Sequence, residues 1–377
     1  MIAHRNVIAN LMQIRWHEDA GRRQNGVETQ TQIGLLPLSH IYGLVVIANA
    51  GAYRGDGTII LPRFELTTLL ESIQRFKINF MHLVPPIIIQ LLRNPEICSR
   101  HDLSSVRFIY TGAAPLGAET HEDMLKAFPM ITVGQGYGMT ETSTVVFSTA
   151  ENDVMMGTSG SLVPATRAKL LDGEGREITE YDKRGELLIQ SPSLTLGYLH
   201  NERATAEAFV WDQDGRWIRT GDVAVARRAP SGNEHFAVVD RLKELIKTKP
   251  NILIPPSRYT LTYTGAQGHQ VAPAELEAHL LTHPAVHDCA VIPVPDEDAG
   301  EVPKAFVVKS ASVVAKPNEE VAREIRRYVE AHKARYKWLK GGVEFIDVVP
   351  KSPSGKILRR LLKDKEKEKR RAEAAKL

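Results

Sequence analysis

The sequence predicts an α/β protein in two parts, and three textures along the chain predict it. Short apolar runs alternate with helix-period stripes up to about residue 150. From about residue 155 to 240 the chain turns to short strands separated by tight turns, the signature of a small β-rich subdomain. After Arg241 a compact unit of helices and strands follows. The expected domains are therefore 1–240, with its β-rich part at about 155–240, and 241–377.

Each element has its own justification. The first 12 residues suit a helix. Between Ile33 and Ile60 apolar runs broken by Gly and Pro predict strand, loop and buried helix. Leu69, Leu70, Ile73 and Phe76 share one stripe, which predicts a helix over 66–76. Phe80 to Val84 reads as a strand stopped by Pro85-Pro86, with helix resuming over 87–92. A strand at 106–110 opens into Thr111-Gly112-Ala113-Ala114-Pro115, a helix runs to Phe128, and a strand covers 131–133. Loops at such strand ends are where α/β sheets carry ligands. Strands are expected at 168–171, 186–189, 223–226, 236–239, 286–294 and 305–308, and helices at 273–282 and 319–336. Residues 250–267 follow neither period and separate two segments that read well when joined.

Composition excludes several classes. Among 377 residues, 43% are hydrophobic and 25% charged, which argues against disorder and collagen-like repeats. The net charge of +3 is small, and much of it sits in the basic tail, 359–377. There Asp364, Glu366 and Glu368 interrupt the lysines and no aromatic residues interleave, so no nucleic-acid partner is expected. No apolar run reaches the length of a membrane span. Cys98 and Cys289 lack metal-ligand spacing and read as inert buried thiols. The final Ala375-Lys376-Leu377 sits next to the Ser-Lys-Leu type of C-terminal address. It predicts a peroxisomal import receptor as partner and a peroxisomal location, otherwise cytoplasmic.

The segment that carries most chemistry is Gly134-Gln135-Gly136-Tyr137-Gly138-Met139-Thr140-Glu141-Thr142. Alternating glycines suggest a backbone that passes close to a flat or phosphorylated ligand. Tyr137 offers an aromatic face, Thr140 a hydroxyl for a phosphate oxygen, and Glu141 a hard oxygen ligand for Mg²⁺ shared with phosphates. Taken singly, these residues have plainer uses. Glu141 could be an acid at a helix N-terminus, His40 a satisfied core histidine, Asp222 a turn residue and Lys356 a solvated loop lysine. What overturns those uses is the whole set of strings occurring in one order.

That string resembles the nucleotide loop of the adenylate-forming (AMP-binding) superfamily, in particular acyl-CoA synthetases of the 4-coumarate-CoA ligase type. Leu36-Pro37-Leu38-Ser39-His40-Ile41-Tyr42-Gly43 resembles the segment lining its acyl pocket. Thr111-Gly112-Ala113-Ala114-Pro115 resembles the loop walling the adenine and acyl sites. Gly185-Glu186-Leu187 and Gly197-Tyr198 match signatures of the β subdomain. Trp217-Ile218-Arg219-Thr220-Gly221-Asp222 places Asp222 where the family holds the ribose hydroxyls. Asp240-Arg241 matches the hinge, and Ser352-Pro353-Ser354-Gly355-Lys356 ends in the adenylation lysine.

The resemblance implies ATP, Mg²⁺ and coenzyme A as reactants and a carboxylic acid, aryl or medium-chain acyl, as substrate. It implies catalytic roles for Lys356, Lys247, Thr140 and Glu141. The ATP or AMP site would comprise Gly112, Ala113, Ala114, Gly136, Tyr137, Gly138, Thr140, Asp222, Arg241 and Lys356, with Glu141 the metal ligand. His40, Tyr42, Gly112 and Gly136 would line the substrate pocket, and Lys247, Lys249, Gly268 and Gln270 the thioester loop. The family's Ser/Thr/Gly-rich loop ending Pro-Lys-Gly is not in the sequence, so the N-terminal α/β domain is expected to be incomplete and the native protein longer. The smaller C-terminal domain is expected to be mobile, with 250–267 an insertion in its thioester loop. A second expectation is a non-catalytic remnant of such a ligase that binds nucleotide or a partner.

Overall fold

The computed structural model describes residues 1–248, 269–352 and 355–374. The chain divides into two compact units, Met1–Val239 with Pro353–Lys356, and Asp240–Ser352 with Ile357–Leu377. Residues 250–267, Lys249 and Gly268, and the terminal Ala375-Lys376-Leu377 lie outside the described residues.

The first unit is built on strands β1 (Thr31–Gly34), β2 (Gly57–Ile60), β3 (Phe80–Leu83), β4 (Phe108–Thr111), β5 (Thr132–Met139), β6 (Thr144–Ser148) and β7 (Ser161–Leu162). They form one sheet in the order β2-β1-β3-β4-β5-β6-β7. It is parallel from β2 through β5 and antiparallel from β5 to β7. Every residue of β3 and β4 is buried, as expected of parallel strands covered on both faces. Helices Leu66–Phe76, Pro85–Arg93 and Ala118–Ala127 connect the strands, and their buried Leu69, Leu70, Ile73, Ile88 and Met124 join one core with Ile33, Met81 and Ile109.

Four local expectations change. Pro85-Pro86 begin the helix rather than interrupt it, because a proline in the first turn loses no hydrogen bond and arrives with helical φ. The opening helix runs the full length of His4–Gln24. The buried helix after β1 is a π-helix, Tyr42–Ala50. Most importantly, the glycine string is not a loop. β5 continues through it to Met139, paired with β4 as far as Gln135 and then with β6, with a register shift between Tyr137 and Gly138.

A second sheet in this unit contains β8 (Arg167–Leu171), β9 (Arg184–Gln190), β10 (Phe209–Asp212), β11 (Gly215–Arg228) and β12 (Glu234–Arg241). Its order is β10-β11-β9-β8, with β12 also on β11. Its core of Leu187, Ile189, Ile218 and Ala224 includes Phe147 and Phe236, whose rings stack at 4.4 Å. Phe147 belongs to β6, so the two sheets of this unit share a core.

In the second unit β13 (Ile246–Thr248), β14 (His269–Val271), β15 (Val286–Asp296), β16 (Gly300–Lys309) and β17 (Val343–Phe345) form one sheet, ordered β14-β13-β16-β15 with β17 on β16. Helices Pro273–Leu281 and Asn318–His332 supply Leu276, Leu280, Val321, Ile325 and Val329 to its core. Cys98 and Cys289 are buried free thiols, one in each unit. Among the described residues no helix is long and apolar enough to cross a membrane.

Candidate active site

Strand β4 ends at Thr111, and the chain then turns through Gly112, Ala113 and Ala114, the last two exposed. Ala113 has φ 67°, a left-handed conformation that costs a non-glycine residue energy and marks sites where backbone direction matters. Gly112 faces β5 so closely that a Cβ on it would lie 3.3 Å from both the Gly136 carbonyl oxygen and the ring of Tyr42. The predicted loop, strand and acyl segments therefore meet at one point.

The β5 glycines serve a purpose other than the one their spacing suggested. A Cβ at Gly134 would lie 2.4 Å from the Phe108 ring, at Gly136 1.9 Å from Tyr110 Oη, and at Gly138 1.5 Å from the Thr144 carbonyl oxygen. In each case the protein itself occupies the space. These glycines let β4 and β6 close on β5.

Beyond β5, Thr140–Thr142 form one 3-10 turn. Thr142 Oγ1 accepts from the Met139 amide at 3.1 Å and reaches the Met139 and Thr144 carbonyls. Ser143 and Thr144 follow with positive φ. The locked turn leaves Thr140 exposed and Glu141 half-buried. The phenol of Tyr198 donates to Glu141 Oε1 at 2.8 Å, and the carboxylate has no further hydrogen-bond partner among the described residues. One carboxylate with an open oxygen suits a magnesium ion held jointly with phosphates, because Mg²⁺ keeps few protein ligands. Among the described residues no three His, Cys, Asp or Glu side chains are grouped to hold a metal alone.

Asp222 lies 7% exposed on β11. The β9–β11 register shifts between Arg219 and Val223, and this irregularity presents Asp222 beside β5. Tyr137 Oη donates to Asp222 Oδ2 at 2.5 Å while its ring stacks on Phe147. The predicted adenine platform and ribose carboxylate are thus adjacent and bonded to each other.

The acyl-pocket segment folds into the turn before the π-helix. His40 is half-buried, and its Nδ1 accepts from the Tyr42 amide at 3.2 Å. Burial, then the positive charge of Lys356, lowers its pKa and favours neutral imidazole. Tyr42 is buried, and the single proton of its hydroxyl is shared between two acceptors, the Tyr110 carbonyl at 3.1 Å and His82 Nδ1 at 3.3 Å. His82, wholly buried and pushed down to about 3 chiefly by desolvation, is neutral. The Gln32 amide nitrogen donates to Ile47 and Thr58, so Gln32 Oε1 accepts from His82 Nε2 at 3.0 Å. His82 is thus a buried support for Tyr42 that pattern reasoning missed. The available signal was a histidine inside the otherwise apolar Phe80-Met81-His82-Leu83. A cavity of about 490 Å³ opens beside Leu36, Pro37 and Leu38, with Ile47, Ile60 and Leu61 on its other walls.

Lys356 is half-buried and belongs to the stretch grouped with the first unit. The remaining predicted residues lie in the hinge region and the second unit. Arg241 is exposed, and its amide donates to Asp240 Oδ1 at 2.7 Å. Asp240 Oδ2 also accepts from the Ala274 amide at 3.1 Å, so the expected hinge carboxylate tethers the first turn of helix Pro273–Leu281. Lys247 on β13 and Gln270 on β14 are direct cross-strand partners and both exposed.

Comparison with known proteins decides the family. A model described as AMP-binding enzyme matches residues 1–199, and one described as AMP-binding enzyme C-terminal domain matches 275–356. The chain belongs to the AMP-binding enzyme family. Acyl-CoA ligase lcsD of Purpureocillium lilacinum is 44% identical over 97% of this chain and 88% of its own length. Acyl-CoA ligase AFT1-1 of Alternaria alternata is 40% identical over 97% of this chain, which spans only 59% of that relative. The 4-coumarate--CoA ligase of Pinus taeda is 39% identical over 88% of this chain and 56% of its own length. Among solved structures, o-succinylbenzoate CoA synthetase of Bacillus subtilis with its acyl-adenylate intermediate superimposes with a TM-score of 0.74 at 26% identity, covering 96% of this chain and 65% of that one. An ATP-bound RpMatB-BxBclM chimera gives a TM-score of 0.76 at 26% identity, covering 97% and 65%. The fold of this AMP-binding enzyme is therefore the α/β arrangement of adenylate-forming ligases, a larger N-terminal part with a smaller C-terminal one.

Proposed function

We propose that the protein activates a carboxylic acid with ATP, releasing pyrophosphate, and passes the acyl group from the adenylate to coenzyme A. The observation that carries this reading is the convergence in one unit of Gly112, the Tyr137–Asp222 pair, Tyr42 and the Glu141 turn. The names of its relatives, acyl-CoA ligases, support it, as does a structural neighbour holding an acyl-adenylate. Tyr137 would face the adenine, Asp222 would accept from the ribose hydroxyls, and Thr140 would donate to phosphate. Mg²⁺ held with Glu141 would neutralise phosphate charge. Lys356, a compact cation on a flexible stem, would place its ammonium between the acyl carboxylate and the α-phosphate. A carboxylate oxygen attacks the α-phosphorus and pyrophosphate leaves. The thiol then attacks the acyl carbon and AMP leaves. Lys247 and Gln270 would face the thiol in that second step, after a rotation of the second unit at Asp240. The acid would be aryl or medium-chain acyl.

Half-reactions measured separately test this. Lys356→Ala should abolish ATP–pyrophosphate exchange yet leave thioester formation from supplied acyl-adenylate largely intact, and Lys247→Ala should do the reverse. Equal damage by both to one half-reaction contradicts the division of labour. Absence of exchange with every acid in an aryl and aliphatic panel supports the non-catalytic remnant instead.

A further inference from the structure

Glu141 is one end of a small, fully specified assembly whose other end is Tyr198. The segment Ser193–Tyr198 runs alongside the Glu141 turn and is fastened to it three times. Ser143 Oγ donates to the Ser193 carbonyl at 2.9 Å, the Thr195 amide donates to the Glu141 carbonyl at 2.9 Å, and Tyr198 Oη donates to Glu141 Oε1 at 2.8 Å.

Tyr198 itself has little freedom. Its amide donates to Thr205 Oγ1 at 2.9 Å, in the middle of helix Glu202–Ala208. Its ring leans on Phe209 at 6.2 Å. Gly197 before it has φ 143°, and a Cβ there would lie 2.5 Å from Thr205 Cγ2, so only glycine lets the tyrosine enter at this angle. The outer face of the strap is fixed as well: the Leu196 amide donates to the Met1 carbonyl, and Asn6 Nδ2 donates to the Leu194 carbonyl at 2.8 Å.

We propose that Tyr198 is a positioning residue for magnesium: its phenol fixes one oxygen of Glu141 so that the other is presented to the cation. This rests on the reading that Glu141 holds Mg²⁺ with the nucleotide. Outer groups that orient a metal ligand typically contribute a tenfold or larger factor in metal affinity. A merely packed tyrosine contributes nothing that depends on the cation.

The test is binding of a fluorescent N-methylanthraniloyl ATP to the full chain, titrated with MgCl₂ and followed by anisotropy. Tyr198→Phe keeps the ring and deletes only the donor. It should raise the Mg²⁺ concentration for half-maximal binding about tenfold while leaving binding in EDTA unchanged. Glu141→Gln should raise it at least as far, and the double variant no further than Glu141→Gln. A Tyr198→Phe midpoint equal to wild type, with Glu141→Gln shifted, overturns the positioning role alone. An unshifted Glu141→Gln overturns the magnesium reading of Glu141 and this inference with it. Loss of binding by Tyr198→Phe in EDTA as well as in Mg²⁺ marks a structural role and also overturns it.

Discussion

At the scale of single residues, the site is shaped by what its neighbours leave no room for. Gly136 is the clearest case, because Tyr110 Oη occupies the place of its missing Cβ, and Tyr110 in turn bonds Ser148 at 2.9 Å. Gly136→Ala must therefore push β4 and β5 apart or break that bond, and overpacking of this kind costs about 1–3 kcal/mol. Chemical denaturation should show that loss, together with weaker nucleotide binding, since Tyr137 is the next residue. A wild-type midpoint for Gly136→Ala would show that the strands have slack to take up the added methyl group. The two carboxylates assigned to nucleotide and metal share a second rule: each accepts from a phenol, Asp222 from Tyr137 and Glu141 from Tyr198. A phenol donates one proton and, unlike lysine, adds no charge to compete with a cation.

At the scale of elements, ion pairs staple helices to sheets. In the second unit Lys304 on β16 is buried and donates to Glu344 on β17 at 2.9 Å and to Glu366 of helix Arg359–Ala374 at 2.5 Å. Burial works against the Glu344 carboxylate, yet bonds from Lys304 and Lys369 hold it at about 2. A carboxylate depressed in the folded state stabilises above its unfolded pKa, and that contribution disappears as pH falls through the folded value. The second unit should accordingly lose stability between pH 4.5 and about 2, and Glu344→Gln should flatten that limb while lowering stability at pH 7. An unchanged acid limb, read by circular dichroism, would remove Glu344 from the account. Helix His4–Gln24 follows a different rule. Its inward Asn6, Asn10 and Gln13 bond the backbone of neighbouring segments, whereas Ile8, Met12 and Trp16 are exposed.

At the scale of the whole molecule, the chain is two units with separate cores; Lys356, assigned to adenylation, is grouped with the first unit, and Lys247, assigned to thioester formation, belongs to the second. Location is a property of the whole chain too. We propose that Ala375-Lys376-Leu377 directs the protein to peroxisomes. A fluorescent protein fused at the N-terminus should co-localise with a peroxisomal marker, and deleting the last three residues should leave it diffuse. Diffuse fluorescence of the undeleted fusion would remove the address.

The sequence by itself determined the family, the α/β class and most element positions. Stripes such as Leu69-Leu70-Ile73 and buried strands such as Phe80–Leu83 are set by local periodicity. It also named Tyr137, Glu141, Asp222 and Lys356, because strings of unusual composition in a fixed order survive without coordinates. Only the tertiary structure decided what those residues touch. The spacing of Gly134, Gly136 and Gly138 suggested room for a ligand, whereas Phe108, Tyr110 and Thr144 fill that room from strands brought alongside by folding. His82 under Tyr42, Tyr198 beside Glu141 and the polar inner face of the first helix were equally out of reach. Each depends on a hydrogen bond between segments far apart in sequence, and a linear pattern carries no information about which buried donor will meet which acceptor.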